Sequence, residues 1–155
     1  MKKILLVLLS TLLFLSCSKD NDKPTLKRFD YVYSNNEIDL YNRINDYRIT
    51  AGVNPLILVN HVSYKCMEHN EYMMNNGVVN HDYFYNRSEN IIKVCGATEV
   101  DEILAFNYPT NENVLNGWAG SSCHDTIIKS EHSRIGLSIR QNPDGKKYYT
   151  VIFLD

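Results

Sequence analysis

The last stretch of the chain, RIGLSIRQNPDGKKYYTVIFLD (residues 134–155), constrains the fold more than any other. Apolar and polar residues alternate, Ile, Val, Tyr and Phe dominate, and Asn142-Pro143-Asp144-Gly145 splits the run with a turn signal. That is the pattern of a β-hairpin. Upstream the period changes. Ile38, Leu40, Tyr41, Ile44 and Tyr47 recur three and four residues apart, predicting a helix from Asn35 to Ala51 that Asn35 or Asn36 caps and Gly52 stops. VNPLIL (53–58) reads as extended, because Pro55 disfavours helix in the residue before it. Val62, Cys66, His69 and Met73 make the buried stripe of a second helix, about Asn60 to Asn75. Residues 78–95 read as a loop with a short extended piece at Ile91–Val94. Residues 99–106 and 112–118 read as helices, the latter placing Val114, Leu115 and Trp118 on one face. Helices first and an antiparallel hairpin last predict an α+β fold rather than a parallel α/β sheet.

The other end is of a different kind. MKKILLVLLSTLLFLSC opens with Lys2 and Lys3 and continues in an apolar run, Ile4 to Leu15, shorter than the ~20 residues a bilayer span needs. It reads as a secretory signal. Phe14-Leu15-Ser16-Cys17 resembles the lipobox of bacterial lipoproteins, with Phe14 in place of the usual leucine. The resemblance implies removal of residues 1–16 and lipidation of Cys17, whose two or three acyl chains would hold the chain on a membrane. Residues 17–34 follow as a polar tether. Their SKDND start resembles the signal that sends lipoproteins to the outer leaflet of the outer membrane, so the expected location is extracytoplasmic, anchored there and surface-exposed. One domain, 35–155, completes the chain. Loss of Lys2 and Lys3 leaves 14 basic against 18 acidic residues, a net charge of −4. An acidic domain without a basic patch excludes nucleic acid as partner. Eleven tyrosines suggest an amphipathic surface or a polar-tipped cavity. Cys66, Cys95 and Cys123 remain: one bridge with a spare thiol, or three free thiols.

Chemistry-bearing groups are scattered: His81 in NHDYFYNR, Glu89 and Asn90 in SEN, and Ser121 and His124 in WAGSSCH. His81, Glu89 and His124 are not at helix-neighbour spacing from one another, so no H-E-x-x-H motif exists and these groups meet only by folding. Cys123 adjoins His124, but side chains of sequence neighbours diverge, which argues against that pair as a nucleophile and base. Their order is informative. Asn45-x-x-Arg48-x-x-x-Gly52 with Pro55-Leu56, then Met73 leading to His81, Glu89-Asn90, Trp118-x-x-Ser121-x-x-His124, Ile135-Gly136, Tyr148-Tyr149-Thr150 and Phe153 together resemble the CAP superfamily. These are the cysteine-rich secretory, antigen 5 and pathogenesis-related 1 proteins, here in their short bacterial form.

The resemblance implies an α-β-α sandwich with a small antiparallel sheet between helical layers. It also implies a cleft holding His81, His124 and Glu89, with Ser121 standing where many relatives have a second acid. Two imidazoles and a carboxylate suit Zn²⁺ or another divalent metal with an open coordination position; they equally suit a water-filled polar cleft. Trp118, Asn90, Asn45 and Arg48 are expected to be structural, and His61, His69 and His132 ordinary hydrogen-bonding residues. Two functions follow from the resemblance. One is a non-catalytic module binding a lipid, metal or protein ligand. The other is a hydrolase, with His81 or His124 as base, Glu89 orienting it, and Ser121 or a zinc-bound water as nucleophile.

Overall fold

The computed structural model describes residues 27–155; the expected signal, Cys17 and the first part of the tether lie outside them. In chain order the described elements are α1 (Asn35–Thr50), β1 (Ile57–Leu58), α2 (Asn60–Asn76), α3 (Phe84–Cys95), β2 (Val100–Phe106), α4 (Asn111–Ala119), α5 (Ser122–Ile128), β3 (Arg134–Gln141) and β4 (Lys147–Leu154). The sheet runs β1-β3-β4-β2. The expected hairpin is β3–β4, with Arg134 opposite Leu154 and Gln141 opposite Lys147. β2 pairs antiparallel along the other side of β4. Short β1 joins β3 in parallel, so the sheet is mixed.

Period-two alternation sorts the strand residues onto two faces. Ile103, Ala105, Ile135, Leu137, Tyr149, Val151 and Phe153 pack against Leu40 and Ile44 of α1, Val114 and Trp118 of α4, and Ile128 of α5. Ile152 and Leu154 pack on the opposite face with Val62 and Cys66 of α2 and Ile91 of α3. This is the α-β-α sandwich. β4 reads as nearly continuous apolar sequence because both of its faces are covered. At Gly136 a Cβ would lie 2.5 Å from the Ser63 nitrogen and from the Val62 side chain, so only glycine lets α2 press this closely on β3.

Local chemistry explains where the elements differ from the sequence reading. α1 is capped by Ser34, not Asn35 or Asn36. The Ser34 hydroxyl accepts from the Glu37 amide while the Glu37 carboxylate accepts from the Ser34 amide. Glu37 is buried, and beyond the cap it accepts from Tyr31 Oη, the Ile139 amide and Arg140. Burial pushes its carboxyl up, but these hydrogen bonds outweigh it and hold the group below its ordinary value. Residues 99–106, expected as helix, hold strand β2. Ile103 and Ala105 face one layer and Glu102 the other, an alternation that a short apolar run does not declare. Residues 78–95, expected as loop and extended chain, contain α3, whose buried Arg87, Ile91 and Val94 follow helical spacing behind a polar façade. From residue 27 the expected tether already lies on the domain. Phe29 stacks on Tyr64 at 4.2 Å, its amide donates to His61 Nδ1, and Tyr31 is buried.

Candidate functional site

The best-organised polar cluster holds the turn between α2 and α3. Gly77, with φ 64°, ends α2 in the left-handed region. The chain then folds back through Asn80, His81 and Asp82 to start α3 at Phe84. His69, buried on α2, bonds through Nε2 to the Asn80 carbonyl at 2.8 Å. Since a carbonyl only accepts, Nε2 carries the proton. Tyr72 Oη and the Asn80 side-chain amide both donate to Asp82 Oδ2. Arg87 donates Nη1–H to the Asp82 carbonyl at 2.7 Å and grips Glu102 with two further donors, Nε to Oε2 at 3.0 Å and Nη2 to Oε1 at 2.8 Å. This bidentate fork is the strong form of an arginine–carboxylate pair. His81 Nδ1 lies 2.9 Å from the same Oε1. A carboxylate committed to a guanidinium accepts, so Nδ1–H donates, and Nε2 makes no hydrogen bond among the described residues. The His81 side chain is 53 % exposed while that of Glu102 is 1 % exposed. Burial, with the positive charge of Arg87 adding to it, holds His69 below the ordinary histidine value and so neutral.

Glu102 and Arg87, the acid and cation that orient His81, were not legible as site residues. Glu102 sat in a segment read as helix, and Arg87 in one read as loop. The alternation around Ile103 and Ala105 was the signal available.

The other expected residues lie elsewhere. Glu89 sits on α3, where it accepts from Tyr85 Oη and pairs with Lys93 at 3.4 Å. Asn90, expected to hold a turn, is inside α3, and its Oδ1 bonds His61 Nε2 at 2.8 Å. Ser121 is the N-cap residue of α5 without a side-chain capping bond. His124, on α5, enters no hydrogen bond or ion pair among the described residues. α5 belongs to the layer of α1 and α4, whereas Glu102 and His81 meet on the α2/α3 face; Asp101, beside Glu102, turns to the opposite side and bonds His132. The structure therefore brings His81 together with Glu102, Arg87 and His69, and does not gather His81, Glu89 and His124 into one ligand set. Among the described residues no three His, Cys, Asp or Glu side chains are grouped to hold a metal ion. The residues do not fit zinc as expected: Glu102 is taken up by Arg87 and His81, Glu89 is paired with Lys93, and His81 and His124 belong to different layers. Of the two alternatives for the cysteines, no bridge is formed among the described residues and all three thiols are free. Cys66 is buried with Sγ against the Gly136 carbonyl, Cys95 is half-buried and Cys123 exposed. Cys66 thus behaves as a small core residue.

Trp118, Asn45 and Arg48 each bond the main chain. Trp118 is buried and donates Nε1–H to the Leu104 carbonyl at 2.8 Å. Asn45 brackets Leu56 with its amide, accepting from the Leu56 nitrogen and donating to its carbonyl. Arg48 is fully buried and donates to the carbonyls of Asn54, Ile128, Ser130 and His132.

The profile of the cysteine-rich secretory protein (CAP) family matches residues 41–153, and the chain belongs to that family. Among solved structures it is similar to an outer surface protein of Borrelia burgdorferi, at 20% identity and a TM-score of 0.72, over 83% of this chain and 98% of that one. It is similar also to an extracellular SCP-domain protein of Bacillus anthracis str. Ames (18% identity, TM-score 0.66) and to a cysteine-rich secretory protein of Staphylococcus aureus subsp. aureus Mu50 (17%, 0.61). Each of these two matches covers 76% of this chain, but only 39% and 37% of the respective neighbour. A comparison with curated protein sequences finds no match.

Proposed function

We propose that this CAP domain is a non-catalytic binding module, held by lipidated Cys17 on the outer face of a cell envelope, that presents its α2–α3 turn to a ligand outside the cell. The anchor rests on the signal-like leader and the lipobox-like FLSC. Extracytoplasmic placement is in keeping with the family and with the outer-surface and extracellular descriptions of the similar proteins. One observation carries the binding reading: a buried Arg87–Glu102 pair, with His69 and Tyr72, is spent on fixing a turn whose own side chains reach solvent. Rigid presentation of exposed groups serves recognition. The Arg87 and Glu102 side chains are buried and bond each other, so neither is presented to a substrate in solution.

One feature favours hydrolysis as the alternative. Glu102 and His81 make the acid–histidine half of a triad. The other half is missing from the hydrogen bonds: neither Ser121 nor Cys123 bonds His81, and both lie on the α4/α5 side.

The test uses the mature protein in detergent, beside His81→Ala and His124→Ala variants. Each is screened for peptide and ester turnover and titrated with zinc. The binding reading expects no turnover above background and no zinc affinity that depends on both histidines. Turnover lost in the His81 variant would establish the hydrolase instead. Anchoring is tested separately: Cys17→Ala should move the protein from the membrane to the soluble fraction.

A further inference from the structure

The chemistry of the α2–α3 turn names the kind of ligand, given the binding reading above. Tyr83 is the residue before α3 and sits at φ 59°, ψ 17°, a left-handed conformation that a bulky side chain rarely adopts. The turn is held there by the bonds already described, and Arg87 N–H donates to the Tyr83 carbonyl at 3.1 Å. Strain persists where the surroundings over-determine it. What the strained turn displays is aromatic: Tyr83 is 64% exposed and Tyr85 72%. Tyr72 packs edge-on against the Tyr83 ring at 5.3 Å and fixes its direction. Neither exposed ring fills a core.

The exposed groups share one electronic character. They are the two π faces, the His81 ring and the free oxygen of the Asp82 carboxylate. Arg87 is paired with buried Glu102, and Lys93 and Glu89 offset each other on the exposed face of α3, so the charge left unpaired at the turn is that of Asp82. An electron-rich, rigid, aromatic surface complements positive charge. Tyrosine faces attract ammonium and guanidinium groups, and carboxylates pair with them. We infer that Tyr83, Tyr85, His81 and Asp82 form a docking surface for a Lys- or Arg-bearing peptide segment of a protein partner.

The experiment uses the mature protein already anchored in vesicles of neutral lipid, so that its acyl chains are housed before any probe is added. A fluorescein-labelled peptide of alternating glycine with arginine and lysine is titrated against it by anisotropy. Its acidic counterpart, a neutral oligosaccharide and vesicles containing anionic lipid serve as the competing probes. The basic peptide should bind, more weakly as salt rises. Tyr83→Gly is the decisive variant. Glycine accepts the left-handed conformation freely, so the fold should be kept or strengthened while the ring is lost. Tyr83→Gly combined with Tyr85→Ala should weaken the basic peptide by about tenfold. Glu112→Gln, on exposed α4, should leave it unchanged. Equal binding by the double variant, or preference for the acidic peptide or the vesicles, overturns the inference. If only the oligosaccharide binds, through His81, the basic partner is wrong and the binding module stands. If turnover is found instead, the binding module itself fails.

Discussion

Two buried arginines organise opposite sides of this molecule, and they do it differently. Arg48, on the α1 side, bonds no carboxylate: its guanidinium donates to four backbone carbonyls and ties α1 to Asn54 and to residues 128–132. Burial alone pulls its ionisation down, yet a guanidinium stays charged there. Arg87, on the α2/α3 side, faces Glu102, and their pair leaves one further valence, which His81 takes. The first cation closes a loop completely and offers nothing to solvent. The second stops one bond short of the surface, so the turn it fixes is also displayed. Stability and recognition are thus separated by what each arginine leaves unsatisfied.

Removing Arg48 should have the largest effect. Arg48→Ala leaves four carbonyls without their donor and should cost on the order of 4 kcal/mol or more, enough to leave little of a typical domain's stability. Urea unfolding checks this, and Arg48→Lys should recover only part of the loss because three ammonium donors cannot reproduce the fork. Little change on Arg48→Ala would break the contrast outright. Glu102→Gln keeps the shape but strands the Arg87 charge in the interior. It should cost about 3 kcal/mol and loosen the turn, read as faster hydrogen exchange at residues 81–84.

Acid should separate the two sides next. His61 and His69, on the α2/α3 side, are depressed first by burial and then by nearby cations, so the folded state binds fewer protons than the unfolded chain. Their contribution is whole above the unfolded value near 6.5 and is lost as pH falls below it. Glu37, on the α1 side, is also depressed, so its contribution begins to disappear only below its ordinary value of 4.5. Urea midpoints against pH should therefore fall in two steps, and a His61→Asn, His69→Asn double variant should flatten the first. Ser34→Ala, which removes the α1 cap, should cost about 1 kcal/mol. The smallest effect is His81→Ala, below about 1 kcal/mol because the ring is half exposed. A larger loss would mean that His81 supports the fold rather than meeting a ligand.

Much of the architecture was readable before folding. The hairpin, α1, α2 and α4 declare themselves through period and punctuation. The site was less legible. His81 stood out, but its partner Glu102 lay in VDEILAF, where seven residues do not distinguish a helix turn from a strand, and only pairing with β4 decides it. α3 was hidden because half of its residues are polar, its first two turns most of all, and its start is a left-handed tyrosine, not a capping serine.

The sequence by itself determined which segments carry a period, the character of the leader, the acidic balance and the family. Only the tertiary structure decided which face each carboxylate would occupy. A strand residue's direction depends on register against β4, so whether Glu102 or Glu89 would meet His81 was a matter of pairing, and Glu102 won because its register aims it at Arg87 beneath the turn.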